Sequence, residues 1–203
     1  DGVSQVITRC NDGSEYSSSK LLVAAGREAN IAELGLDALD LVLSEHGHIR
    51  VDEYLRTSIE NIFAAGDVIG PPSLASASME QGRRASCNAL GIEVDAMSSL
   101  IPSGIYSIPE LSGVGMTEQS AREQGEIIVG SARFDEISRG QISGIRDGLL
   151  KIICDAKGEK ILGVQIVGEG ATELVHIGQM ALLSDSPVDI FVENIFNYPT
   201  LAE

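Results

Sequence analysis

The chain has 203 residues, and its 14 Lys plus Arg against 30 Asp plus Glu give a formal net charge of −16. The deficit is spread evenly over both halves, so no basic stripe offers the counterion release that nucleic-acid binding requires. Hydrophobic residues make up 43% of the chain, enough for one large core or two smaller ones, yet no apolar run approaches the ~18 residues of a membrane span. In chain order, residues 3–10 read as a strand that turns at Asn11-Asp12-Gly13-Ser14. Residues 20–25 (Lys-Leu-Leu-Val-Ala-Ala) read as a short buried strand ending at Gly26-Arg27. Local turns follow around Gly35 and His46-Gly47-His48, then a small alternating strand over 49–52. Residues 61–65 (Asn-Ile-Phe-Ala-Ala) are a second buried strand, broken at Gly66-Asp67. Residues 74–90 have helical spacing with Leu74, Ala77, Ala85 and Leu90 inward, and Gly91 stops the helix.

Composition shifts at 95–103, a Ser- and Pro-containing linker that marks a domain boundary. Beyond it come strands near 104–108 and 112–116, a helix from Thr117 to Gln124 capped by Thr117, and a strand at 126–134. Residues 149–155 and 160–167 form a hairpin, 171–184 a helix, and Ser186-Pro187 starts another. Strands precede helices in this half, which therefore reads as an α+β layer structure.

The strongest local signal is Ile62-Phe63-Ala64-Ala65-Gly66-Asp67, in which a strand delivers a glycine and a carboxylate at its carboxyl end. Open α/β sheets place ligands there, glycine admits a close approach, and a carboxylate suits the hydroxyls of a polyol. A plain strand-to-loop turn with an exposed Asp satisfies the same pattern. One short loop later Pro72-Ser73-Leu74-Ala75-Ser76 opens the helix. Its free N–H groups and positive dipole end can face an electron-rich ring edge, or Ser73 can simply cap it.

Several motifs now run in one order: Gly26-Arg27-x-x-Asn30, Ala64-Ala65-Gly66-Asp67, Pro72 to Ala77 with Gln81-Gly82-Arg83, Gly104 to Leu111, Val114 to Glu118, Gly168 to Gln179, and Phe196-Asn197-Tyr198-Pro199-Thr200-Leu201-Ala202-Glu203. Together they resemble the pyridine nucleotide-disulfide oxidoreductase superfamily over essentially the whole chain. Pro72 to Ser76 and Phe196 to Thr200 are most similar to its transhydrogenase branch. The fold so implied is α/β followed by α+β. Residues 1–23 would be the tail of an NAD(P)-binding domain and 24–98 the C-terminal segment of an FAD-binding, Rossmann-like domain. Residues 99–203 would form an α+β dimerisation domain, with a homodimer as partner state.

The resemblance also implies roles. Asp67 would accept hydrogen bonds from the ribityl chain of FAD, with Gly66 permitting the approach. Ser73, Leu74, Ala75 and Ser76 would set a helix N-terminus beside the pyrimidine edge of the flavin. Gly26 would lie near the nicotinamide of NAD or NADP. The dithiol-using relatives carry His-Pro where this chain has Tyr198-Pro199, and that His, oriented by a Glu, serves as acid/base. Here Glu203 keeps the Glu position, but a phenol with reference pKa about 10 is a poor base at neutral pH. Hydride exchange between two nicotinamides needs no thiol protonation, so the change fits a transhydrogenase. A packing and hydrogen-bonding Tyr at a Tyr-Pro turn, with a cis peptide, fits equally.

Other candidates weigh less. His176 reads as a core or interface histidine, and His46 and His48 as solvated loop residues. Arg83-Arg84 reads as a solvated helix face, with a cofactor phosphate as the alternative. Cys10, Cys87 and Cys154 are odd in number and far apart, neither a disulfide framework nor a zinc cluster. They read as buried small hydrophobes in a reducing cytoplasm. The sequence holds no Gly-x-Gly-x-x-Gly cradle and no Cys-x-x-x-x-Cys pair. With no initial Met and an abrupt stop at Glu203, the expectation is a C-terminal piece of a longer flavoprotein that alone does not retain FAD. Three functions follow from this: part of an NAD(P)+ transhydrogenase, part of a dihydrolipoyl-dehydrogenase-like disulfide reductase, or a non-catalytic dimerisation module. Nucleic acid, membranes and metals are expected to play no part.

Overall fold

Alternating Val6–Arg9 forms β1, which pairs antiparallel with β2 (Glu15–Ser18), Val6 opposite Ser18 and Arg9 opposite Glu15. The Asp12 carboxylate closes their turn by accepting the Ser14 N–H at 2.9 Å and the Ser14 hydroxyl at 2.7 Å. These elements come from a computed structural model, which describes residues 5–203; the expected strand over 3–10 therefore lies partly outside the described residues. The chain divides into two units between Ile92 and Glu93.

In the first unit the strand expected over 20–25 does not form. Residues 20–25 carry no ladder, and Leu22 and Val23 are 89% and 74% exposed. A hydrophobic run becomes a strand only where a neighbour takes its N–H and C=O groups, and no described segment pairs with this one. The expected strands over 49–52 and 61–65 shrink for the same reason to single bridges, Leu43 to Ile49 and Arg56 to Phe63. The 61–65 segment is still held, by Thr57 N–H to the Ile62 carbonyl at 2.8 Å and Ala64 N–H to the Leu55 carbonyl at 3.0 Å. The helix is as expected: α1 spans Ala75–Ala89 and buries Ala77, Gln81 and Ala85, a spacing of four that forms one face. Leu90 is a correction. It lies just past the last helical residue and is 75% exposed.

The second unit is a five-stranded antiparallel sheet of β3 (Ser103–Ile105), β4 (Leu111–Gly115), β5 (Ile127–Arg133), β6 (Leu149–Asp155) and β7 (Ile161–Val167). Their spatial order is β3-β4-β7-β6-β5. One face carries Val114, Val164 and Ile166 with Leu150 and Ile152, and α4 (Ala171–Leu183) packs there through Val175 and Ala181. Burying each such aliphatic side chain contributes roughly 1.5–3 kcal/mol. Gly178 permits the close approach: a Cβ there would stand 2.7 Å from Val164 Cγ2. Alternation turns the fully buried Ile153 to the other face, together with Lys151. The Lys151 ammonium meets Glu118 of α2 (Glu118–Arg122) at 2.6 Å.

Thr117 caps α2 as its sequence suggests, accepting the Ser120 N–H at 3.1 Å. Ser186-Pro187 does not start the last helix. Its Ser186 N–H closes the end of α4 on the Ala181 carbonyl at 2.9 Å, and Pro187 bridges to Lys160. The helix α5 begins at Asp189 and ends at Val192. A helix with no sequence forecast, α3 (Ser138–Ser143), fills the β5–β6 connection. Of the cysteines only Cys154 is buried, which pushes its thiol pKa up. Cys87 is half-buried and Cys10 exposed, so the expected burial of all three is corrected. Cys10 follows β1, whose side chains are at most half-buried.

Candidate functional site

Gly66 has φ +82 and ψ −159, a conformation that side chains with a Cβ avoid. It turns the chain into a single 3-10 turn, Asp67–Ile69, with Asp67 in first position. The Asp67 carboxylate remains 40% exposed and meets the Arg27 guanidinium at 3.2 Å. That solvent-exposed ion pair marks where the Gly26-Arg27 segment lies beside the Gly66-Asp67 turn, two sequence motifs 40 residues apart. Gly26 itself has φ +104, and nothing lies within 4 Å of where its Cβ would stand. Gly26 thus leaves open space at its Cα, whereas at Gly66 Ser78 Oγ would stand 3.4 Å from a Cβ.

α1 is tied to the same turn, because Gln81 Oε1 accepts the Gly66 N–H at 2.8 Å. The first residue before the helix is Leu74, in extended conformation, and no side chain caps the first-turn amides. Ser73 therefore does not serve as a cap, and Ser78 in the first full turn donates its hydroxyl to the Leu74 carbonyl instead. Within 73–76 the Leu74 N–H is taken by the Pro72 carbonyl at 3.0 Å, and the Ala75 and Ser76 N–H groups of the first turn keep their orphan character at the positive end of the helix dipole. An exposed carboxylate acceptor and uncapped helix amides on one scaffold fit a ligand that has both hydroxyls and an electron-rich ring edge.

The C-terminal residues form a separate cluster in the second unit. The Tyr198 hydroxyl lies 2.6 Å from Ser138 Oγ. Glu203 accepts the Ser138 N–H through Oε1 at 2.7 Å and the Thr200 N–H through Oε2 at 3.1 Å. Both carboxylate oxygens are thus engaged by backbone amides, and Ser138 rather than Glu203 holds the phenol. The Tyr198–Pro199 peptide is cis, as the Tyr-Pro pair suggests. Nothing in the sequence flags Ser138, which lies 60 and 65 residues from its two partners. Gln81 did carry a signal: a polar side chain midway between buried Ala77 and Ala85 must find a partner.

The remaining candidates are accounted for locally. His176 is exposed, not a core residue, with Nδ1 3.0 Å from Gln179 Oε1. His46 is exposed and His48 half-buried, and among the described residues no group of three His, Cys, Asp or Glu could hold a metal ion. Arg83 and Arg84 both grip Glu80, at 2.7 Å each, and these guanidiniums hold its carboxyl down at about 2. Among the described residues no helix is long and apolar enough to cross a membrane.

Comparison with known proteins agrees with this reading of the motifs. Residues 1–82 match the family described as pyridine nucleotide-disulphide oxidoreductase, and residues 101–203 match its dimerisation domain. Over 203 residues the chain is 41% identical to the soluble pyridine nucleotide transhydrogenase of Mycobacterium bovis (strain BCG / Pasteur 1173P2), covering all of this chain and 43% of that protein. It is 40% identical over 202 residues to the soluble pyridine nucleotide transhydrogenase of Marinobacter nauticus, covering 98% of this chain and 44% of that protein. Among solved structures, the HOCl-induced flavoprotein disulfide reductase RclA from Escherichia coli superposes with TM-score 0.89 at 30% identity, over 98% of this chain and 46% of that one. LpdA from Mycobacterium tuberculosis superposes with TM-score 0.88 at 26% identity, over 100% of this chain and 44% of that one. The chain therefore spans less than half the length of these relatives. With both of its segments matched in the family's order, the chain belongs to the pyridine nucleotide-disulphide oxidoreductase family.

Proposed function

We propose that the chain is the C-terminal part of a FAD-dependent transhydrogenase, a cytoplasmic homodimer that moves a hydride between NADPH and NAD+. Residues 1–23 close the NAD(P) domain, 24–98 complete the FAD domain, and 99–203 form the dimerisation domain. Bound FAD supplies the hydride chemistry. Asp67 would accept from its ribityl hydroxyls, Gly66 would let the backbone approach, and the segment 73–76, through its free amides, would stabilise negative charge on the ring. Gly26 leaves room for the nicotinamide.

One observation carries the choice of reaction. Where a disulfide reductase of this family needs an imidazole oriented by a carboxylate, this chain has a phenol held by Ser138, and Glu203 is spent on two backbone amides. Tyr198 and Glu203 therefore act as a structural anchor of the C-terminal segment. Exchange between two nicotinamides asks for no thiol proton transfer, so nothing is lost. The disulfide-reductase reading is favoured by the structural likeness to the flavoprotein disulfide reductase RclA, and a purely dimerising role by the match of residues 101–203.

The test uses the full-length protein. The proposal expects NADPH-dependent reduction of an NAD+ analogue without reduction of lipoamide, and disulfide reduction as the main activity would overturn it. Asp67→Ala removes a polyol hydrogen bond of about 1–3 kcal/mol, and flavin content should fall. Unchanged flavin in the purified variant refutes the role of Asp67. The 203-residue chain alone should be colourless and dimeric in sedimentation, and stoichiometric flavin absorbance refutes that expectation.

A further inference from the structure

Gln81 is 4% exposed and sits in the second turn of α1 between Ala77 and Ala85. A buried amide without a partner costs on the order of a few kcal/mol, so its position is explained by the bond it makes. That bond is to the N–H of Gly66, 2.8 Å away and 15 residues earlier. The Gly66 N–H belongs to the peptide plane that delivers the chain into the φ +82 turn, and Asp67 is the next residue. Ser78, one helical turn before Gln81, lines the same turn: a Cβ on Gly66 would stand 3.4 Å from its hydroxyl oxygen. The helix thus holds the turn from two rungs of one face, and Gln81 supplies the hydrogen bond.

The alternatives for a buried polar side chain here do not fit as well. A role in helix packing alone would be served by an aliphatic residue of the same length, without the desolvation of an amide. A role in fixing the turn needs an acceptor at this reach, and Gln81 Oε1 supplies it to the half-buried Gly66 N–H. We propose that Gln81 is a positioning residue for flavin binding: it locks the Gly66 peptide and thereby aims the Asp67 carboxylate, coupling it to the uncapped N-terminus of α1. This rests on the flavin reading of the site.

The experiment measures FAD affinity of the full-length apoprotein by quenching of flavin fluorescence, for Gln81→Leu, Asp67→Ala and the double variant Asp67→Ala/Gln81→Leu. Gln81→Leu removes the acceptor at similar volume and should weaken FAD roughly tenfold. In the Asp67→Ala background, Gln81→Leu should cost little more, because the group it aims is gone. Parent-like affinity of Gln81→Leu overturns the proposal, as does a full tenfold loss retained in the double variant, which marks a general structural role. Loss of affinity in Asp67→Ala with none in Gln81→Leu leaves the flavin reading intact and defeats only Gln81. Parent-like affinity in Asp67→Ala defeats the flavin reading itself. Should Gln81→Leu fail to fold, Gln81→Ala, a better helix former, carries the same comparison.

Discussion

Replacing Gly178 by Ala sets two effects of known size against each other. Within a helix, Ala is favoured over Gly by about 1 kcal/mol. Against that, the new methyl would stand 2.7, 2.8 and 3.0 Å from the Cγ2, Cβ and Cγ1 atoms of Val164. Carbon–carbon contacts prefer about 3.5–4.0 Å, so α4 would have to lift by close to 1 Å. Val164 cannot yield, because it is 2% exposed and β-branched on a central strand. Lifting the helix would loosen Val175 and Ala181, which are 1% and 4% exposed. Overpacking of this kind costs about 1–3 kcal/mol, and with three contacts crowded on one rigid side chain the upper part applies. The net expectation is a loss of about 1–2 kcal/mol in the second unit, a Tm lower by roughly 4–8 °C. The protein has no Trp, so urea unfolding is followed by circular dichroism at 222 nm. In the Val164→Ala background the same substitution should cost about 1 kcal/mol less, since the Cγ1 and Cγ2 contacts are gone while the 2.8 Å contact to Cβ remains. A Gly178→Ala protein as stable as the parent, or strict additivity with Val164→Ala, refutes the packing argument.

Glu118 takes hydrogen bonds from Lys151 and Arg122, which hold its carboxyl below the ordinary value of 4.5. A depressed folded-state pKa contributes stability that is fully present above about 4.5 and is lost as pH falls through the folded value. Glu118→Gln should therefore flatten the acid side of a stability–pH profile below pH 5 and leave its shape above pH 6 unchanged; parallel profiles throughout would contradict this. Cys10 should label at once with a thiol reagent in the native protein, and Cys154, buried and with a raised thiol pKa, only on unfolding. Equal labelling rates for the two in the native state would contradict the burial assigned here.

The elements legible in the sequence are those whose stabilising partners lie close along the chain. The Asp12 turn is closed two residues on, Thr117 caps its helix three residues on, and the β6–β7 hairpin joins neighbouring runs. The spacing of Ala77 and Ala85 marks α1, and the order of the motifs marks the family. Local patterning misled where a segment depends on something distant. Residues 20–25 have a strand's composition, but a strand is a property of two segments, and no described neighbour pairs with them. Ser186-Pro187 has a helix start's composition, yet Ser186 closes the end of α4, Pro187 bridges to Lys160, and the helix begins only at Asp189.

The residues proposed for function divide in the same way. Gly66, Asp67 and the start of α1 stood out from the sequence because glycine, carboxylate and helix start lie within one short segment. Their joining to Arg27 and Gln81, and the anchoring of Tyr198 and Glu203 on Ser138, were decided by the tertiary structure alone. Local signals determine backbone conformation because they act within a turn or two. Which donor meets which acceptor across 15 or 65 residues is set only when the folded chain brings the elements together.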